Sequence, residues 1–417
     1  MSRRGLVEQD AESISNALIH NPQLAVLKLG YNFLGDKGAS IIATSCSKDG
    51  RHHRSLTVLD LGFNYIGDIG CQSISWNIIA GNHTLRNLFL AGNTFKEDGA
   101  MAIAGALLHG CSLTRINLSA NKFGTKGIRV LAGAIAEMDK RRKEIIEGPN
   151  ETAPCIIPAA LEELHMRDVS LRAEGIASMS TMLLTNTGLR ILDLANNNID
   201  DKNLALFSQT LNENKGMPLK SIILSFNKIT CVGVEYLMNA VWGSKTLREI
   251  KLDNNKMQDR GAQLCSVVLT SIDLESLDIS YNRVSTVGIR ALMKSVSENN
   301  SLKRLALCGI PLDQTASKAL SFALAFNASL EVLNIDSCCS GYSGQRYIVA
   351  GIVSNRNVKL RWVTGFHLVG KYIYIFIGSL LYSSAPFNKD QYLNDSLFVD
   401  RNCQNIGSVT DTSRLGK

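Results

Sequence analysis

Two runs of alternating charge carry most of the chemical potential of this chain. His165 stands between Glu163 and Arg167, and Lys251 stands between Glu249 and Asp253. Residues two apart fall on one side of a β-strand, so each trio could handle protons or meet a charged partner. Elsewhere, the adjacent His52 and His53 could touch a metal ion, and Cys265 could be cast as a nucleophile. Their surroundings complete neither site. The histidine pair has no further ligand at metal-binding spacing. The sequence holds no GxxxxGK[ST] phosphate loop, no GxSxG elbow, no HExxH and no CxxC. With no metal, cofactor or catalytic group expected, the chemistry left to the charged trios is recognition.

Composition narrows what is recognised. Apolar residues make up 45% and charged residues 19% of the 417, which suits a large packed core. The formal charge of +7 is thinly spread, and its one dense run is Lys140-Arg141-Arg142-Lys143. Nucleic acid normally needs a clustered basic face, so none is expected as a ligand. The amino terminus has no apolar core of signal-peptide length. The ten cysteines, including the pair Cys338-Cys339, are therefore read as reduced thiols in a cytoplasmic or nuclear setting. An uncharged run, Tyr372 to Asn388, is shorter than the roughly 20 residues of a membrane span, so no span is expected.

The elements that must position these residues come from an internal repeat. Eleven units begin at Leu24, Leu56, Leu85, Leu113, Leu161, Leu189, Leu219, Leu247, Leu274, Leu302 and Leu330. Three and five residues after each start stand further aliphatic residues, such as Leu192 and Leu194. Eight after the start, eight units have Asn: Asn32, Asn64, Asn93, Asn121, Asn197, Asn227, Asn255 and Asn282. A Gly recurs fourteen after the start in nine units, often preceded by Asp36, Asp68, Thr125, Asp201, Asp259 or Thr286, which are helix N-cap types. An apolar residue holds the eighteenth position throughout, where Cys265 falls, so that thiol is read as core. Each unit is thus a strand, a turn and a helix. Parallel strands sit about 4.8 Å apart and helices about 10 Å apart, so the array must curve with its strands inside. A buried Asn amide at the turn can pair the N–H and C=O groups of adjacent turns. Val169 and Ile310 replace it in units five and ten, where looser turns are expected.

The LxxLxLxxN pattern resembles the ribonuclease-inhibitor-like leucine-rich-repeat family over about residues 6 to 356. The resemblance implies an α/β solenoid of about eleven repeats, right-handed by the parallel crossover rule. Similar repeats form the sensory tail of NLR receptors and the body of the Ran GTPase-activating protein. The expected layout is a partial repeat helix at 1–23, units one to four at 24–138, an insertion at 139–160, units five to eleven at 161–356, and an atypical cap or tail at 357–417. The fourth helix should run on to about Glu147 before Pro149, Pro154 and Pro158 turn the chain. A terminal strand is expected around Leu360 to Val363. No capping strand precedes unit one, so a fragment or a partner-covered edge is expected there. The uncharged run at 372–388 fits either an apolar cap or translated intron.

Recognition then falls to the strand positions between the leucines and to the turns. The expected partner-binding residues are Tyr31, Phe63, Phe89, His165, Arg167, Asp193, Phe226, Lys251, Asp253, Asp278 and Tyr281. Exposed aromatics beside mixed charge suit a protein interface. The leading expectation is a monomeric, non-catalytic module binding a protein on the concave face. Two alternatives are a GTPase activator of the Ran type, whose partner would be a small GTPase, and a fragment of an NLR-type receptor. The Ran activators usually carry an acidic segment after the repeats, whereas residues 388 to 417 here are mixed in charge.

Overall fold

A computed structural model describes residues 1–47, 55–147, 159–214, 216–338, 340–355 and 359–365. His52, His53, the three prolines of the insertion, Cys339 and the apolar run at 372–388 lie outside them.

Twelve three-residue strands form one parallel sheet in chain order. They are β1 (Val26–Lys28), β2 (Val58–Asp60), β3 (Asn87–Phe89), β4 (Arg115–Asn117), β5 (Glu163–His165) and β6 (Ile191–Asp193). There follow β7 (Ser221–Ile223), β8 (Glu249–Lys251), β9 (Ser276–Asp278), β10 (Arg304–Ala306), β11 (Val332–Asn334) and β12 (Trp362–Thr364). Helix α1 (Asp10–His20) precedes the first strand. Between strands lie α2 (Gly35–Ser45), α3 (Asp68–Ile74), α4 (Glu97–Leu108), α5 (Gly124–Glu147), α6 (Arg172–Thr185) and α7 (Asp201–Glu213). The series ends with α8 (Cys231–Val241), α9 (Gln258–Val268), α10 (Thr286–Glu298), α11 (Gln314–Phe326) and α12 (Gly341–Ser354). The pattern is the strand-inside, helix-outside solenoid that the spacing dictates, with β12 as a twelfth rung.

The middle residue of each strand from β1 to β11 is buried, and the third is half-buried or exposed. That alternation puts the leucine rows into one continuous core and their neighbours on the inner face. Cys265 belongs to that core. Burial pushes its thiol up to about 12, far from a working nucleophile.

The Asn row ties each turn to its neighbours. The Asn227 amide donates to the carbonyls of Leu194, Leu224 and Ser225 at 3.2, 2.9 and 3.2 Å. Its Oδ1 accepts from the Asn197 and Ile199 amides at 3.1 and 2.9 Å. Asn93 repeats this pattern toward unit two. In unit ten, which has Ile310 instead, the Ile310 amide donates to the Leu307 carbonyl of its own turn at 3.2 Å. In unit five the Val169 amide is served by Asn197 Oδ1 at 3.0 Å. These bonds serve the amides of Val169 and Ile310 themselves; the acceptor that Asn227 Oδ1 offers the preceding turn has no counterpart on a Val or Ile side chain.

The helix starts need a correction. Asp36, Asp68, Thr125, Asp201, Asp259 and Thr286 lie inside the first turn of their helices, not at the N-cap. Four of the carboxylates instead reach the helix start of the following unit. Asp36 Oδ1 accepts from the Gly67 and Gly70 amides at 2.6 and 2.9 Å, and Asp68 serves Lys96 and Gly99 alike. Asp201 serves Thr230 and Gly233, and Asp259 serves Ser285 and Gly288. This also explains the recurrent Gly. A Cβ at Gly70 would stand 2.7 Å from Asp36 Oδ1, and one at Gly233 would stand 2.4 Å from Asp201 Oδ1.

These caps make stability depend on pH. Desolvation pushes the Asp259 carboxyl upward, but the hydroxyl and amide of Ser285 and the amide of Gly288 outweigh it, so it ionises below the usual aspartate range. A depressed carboxyl contributes stability that is complete above the unfolded value and fades as pH falls through the folded one. Asp259→Ala should cost about 1 kcal/mol near neutrality. Urea titrations of both chains should show that gap closing in acid; a gap of constant size would contradict the role.

Two irregularities depart from the repeat. Unit two ends in a π-helical turn, Ser75–Ile79, which takes up the one residue by which it exceeds unit three. At the amino end the helix begins at Asp10, and residues 1–7 run beside the first turn. Arg3 N donates to Gly30 O, Phe33 N donates to Leu6 O, and Val7 bridges Phe33. The first edge is thus covered at its turn, while β1 pairs on one side only among the described residues.

Candidate recognition surface

The inner face of units four to six holds a chain of charges. Arg115 pairs with Glu163 across β4 and β5. The His165 ring lies between Glu163, at 3.7 Å from Nε2, and Asp193, at 3.5 Å from Nδ1. Strand pleating brings these four together, since each is the first or third residue of its strand. Among the described residues no group of three or more His, Cys, Asp or Glu could hold a metal ion.

In units seven to nine the charges are mostly answered locally. Glu249 accepts from Ser221 Oγ at 2.7 Å and pairs with Lys251 at 3.4 Å. Although desolvation raises it, these partners hold the Glu249 carboxyl below its usual range. Asp253 accepts from Ser225 and from the Asn254 side chain. Burial, helped by the charge of Asp253, moves the Asp278 carboxyl upward despite hydrogen bonds from Ser280.

The aromatic residues sit at the turns, where the chain leaves each strand. Tyr31 and Phe63 stack at 4.4 Å with the Arg3 guanidinium 4.7 Å from the Tyr31 centroid. Phe226 lies under the Arg167 guanidinium at 5.3 Å. Tyr281 and Phe63 each lie over a glycine of the next unit: a Cβ at Gly309 or Gly92 would come within 2.3 Å of the ring. All four rings are exposed, Phe226 at 46% and Tyr281 at 47%. All four residues also have left-handed backbone, with φ of +61° at Tyr31, +56° at Phe63, +56° at Phe226 and +54° at Tyr281. Phe89 is separate, half-buried on β3.

The expected residues therefore fall into two groups. Tyr31 and Phe63 mark the amino-terminal turns. His165, Arg167, Asp193, Phe226, Lys251, Asp253, Asp278 and Tyr281 lie on the inner face and turns of units five to nine. Sequence reasoning passed over the row nine residues after each start. Phe33 and Tyr65 occupy it in units one and two, stacked at 5.6 Å, and Lys228, Lys256 and Arg283 occupy it in units seven to nine. That column was legible in the alignment, had the turn been read position by position as the strand was. Together with Phe226 and Tyr281, the three cations line a groove of about 750 Å³ along the turn edge.

Comparison with known proteins agrees with this architecture. A leucine-rich-repeat family model matches residues 52–75, 81–104, 109–132, 185–205, 243–264 and 270–293. The chain is 25% identical over 379 residues to the human NACHT, LRR and PYD domains-containing protein 5, covering 80% of this chain and 31% of that protein. It is 24% identical over 368 residues to ribonuclease inhibitor from Sus scrofa, covering 85% of this chain and 80% of the inhibitor. The chain thus spans about a third of the length of the NACHT-domain relatives it matches. Among the described residues no helix is long and apolar enough to cross a membrane. With its LxxLxLxxN units and full outer helices, the chain is a leucine-rich-repeat solenoid that is similar to ribonuclease inhibitor and to the repeat regions of these NACHT-domain proteins.

Proposed function

We propose that the chain is a non-catalytic recognition module that captures a protein partner across the inner face and turn edge of units five to nine. The observation that carries this reading is the placement of bulky rings on left-handed backbone. Gly92 and Gly309 take the same turn position at no steric cost, and Asn196 and Asn254 take it cheaply. A Phe or Tyr there is strained, and half of its surface still faces water. Folding gains little from such a ring; a partner that covers it gains a rigid anchor. The porcine relative is by its name an inhibitor of a ribonuclease, which is itself a protein, and that supports a macromolecular ligand here.

The test exploits the opposite signs of the two effects. Phe226→Asn together with Tyr281→Asn installs the residue that units six and eight already use, so stability should stay within about 1 kcal/mol of wild type. A second variant, Arg167→Glu with Lys251→Glu, reverses two inner-face charges and should also fold. Proteins captured from cell lysate by the wild-type chain, identified by mass spectrometry, should be lost by both variants. Capture of the same set by all three chains would refute the inner-face reading.

A further inference from the structure

The three cations at the turn edge are an arrangement the fold does not need. Lys228, Lys256 and Arg283 stand at one register position of three consecutive units, each exposed. Among the described residues none of them forms an ion pair, although cations in neighbouring rows of the array do: Arg190 with Glu162, Lys303 with Glu275, Arg260 with Glu235. The nearby helix-start carboxylate of Asp259 is occupied by Ser285 and Gly288. Like charges on adjacent rungs repel, and no ion pair among the described residues offsets that cost; the one carboxylate lining the groove, Asp168, pairs with none of the three.

We infer that this stripe, with Phe226 and Tyr281 beside it, is the docking site for an acidic amphipathic helix of a protein partner. The inference rests on the protein-binding reading above and specifies the partner's chemistry. Rung spacing grows from about 4.8 Å at the strands toward about 10 Å at the helices, and the turn edge lies between. An α-helix repeats every ~5.4 Å, so one carboxylate per turn can meet Lys228, Lys256 and Arg283 in succession. Apolar residues on the adjoining flank of that helix would then cover Phe226 and Tyr281, which stand two rungs apart. The carboxylates of Asp193, Asp253 and Asp278 on the inner face argue against a nucleic-acid strand. A backbone charged along its whole length would meet those carboxylates, whereas a helix can present acid to the cations and neutral or basic residues to the carboxylates.

The probe is a fluorescein-labelled, hydrocarbon-stapled peptide with one Glu per turn and Leu on the adjoining flank. Controls are a scrambled peptide of equal composition, the same helix with Lys for Glu, and an oligothymidylate of similar charge. Fluorescence anisotropy should show saturable binding of the acidic helix that weakens at least about tenfold for the variant K228E/K256E/R283E and falls with added salt. The variant's unchanged thermal unfolding shows that the loss is not misfolding. Equal binding to both chains, or binding of the scrambled peptide, the Lys helix or the oligonucleotide as tight as that of the acidic helix, would overturn the inference. The captured partner separates the two readings. If Phe226→Asn/Tyr281→Asn loses it and K228E/K256E/R283E keeps it, the acidic helix is wrong while the inner-face reading stands.

Discussion

Asn227→Ala should lower the unfolding free energy by roughly 2–4 kcal/mol, and the damage should appear in the unit before the substitution. The side chain is buried, and its removal abolishes three donations to carbonyls and two acceptances from the Asn197 and Ile199 amides. Alanine leaves a space too small and too apolar for water to repair all five. The carbonyls of Leu224 and Ser225 belong to its own turn, but the Leu194 carbonyl and both amides belong to unit six. Native-state hydrogen exchange should therefore show Asn197 and Ile199 opening faster, along with a lower midpoint in urea. Exchange rates at those two amides equal to wild type would mean that the turns are held by something other than the Asn row.

Leu194→Ala should cost about 2–5 kcal/mol through the cavity it leaves. Leu194 is 1% exposed in the leucine row that follows β6, and its backbone is pinned on both sides, donating to Ile223 O and accepting from Asn227 Nδ2. The backbone cannot close over the missing side chain without breaking those bonds, so the upper part of the range is expected. Leu206→Ala is the comparison: that residue is on α7 but 42% exposed, and its loss should stay within about 0.5 kcal/mol. Equal midpoints for the two variants would contradict the assignment of the inner row to the core.

The contrast between these residues shows what the sequence could reveal. The leucine and Asn rows were readable because their reason for recurring lies within one unit: a strand alternates and a turn must be paired. The inner-face positions followed from the same alternation, and so did the sharing of a face by Glu163, His165 and Asp193. The Asp row was misread for the opposite reason. Asp201 and Asp259 look like caps of their own helices, and only the stacking of units shows that each serves the next one. The π-helical turn at Ser75–Ile79 has no local signature beyond a single extra residue. The covering of the first turn by residues 1–7 was missed because that segment lacks a leucine row to align. The strain at Phe226 and Tyr281 was also out of reach, since a backbone angle is not written in residue type, although Asn and Gly at the same position in other units hinted at it.

The reach of each Asn and Asp into the adjacent unit also bears on how the molecule responds to being pulled. An interior unit is gripped from both sides, by its own polar side chains on one side and its neighbour's on the other, while an end unit is gripped from one. Under load, a unit gripped from one side only should give way before one gripped from both. Seen this way the short segment Met1–Val7 acts as a latch. By lending Asn32 the amides of Arg4 and Leu6 at 3.0 and 3.1 Å, it gives the first unit a second grip of the kind that Asn197 and Ile199 give Asn227.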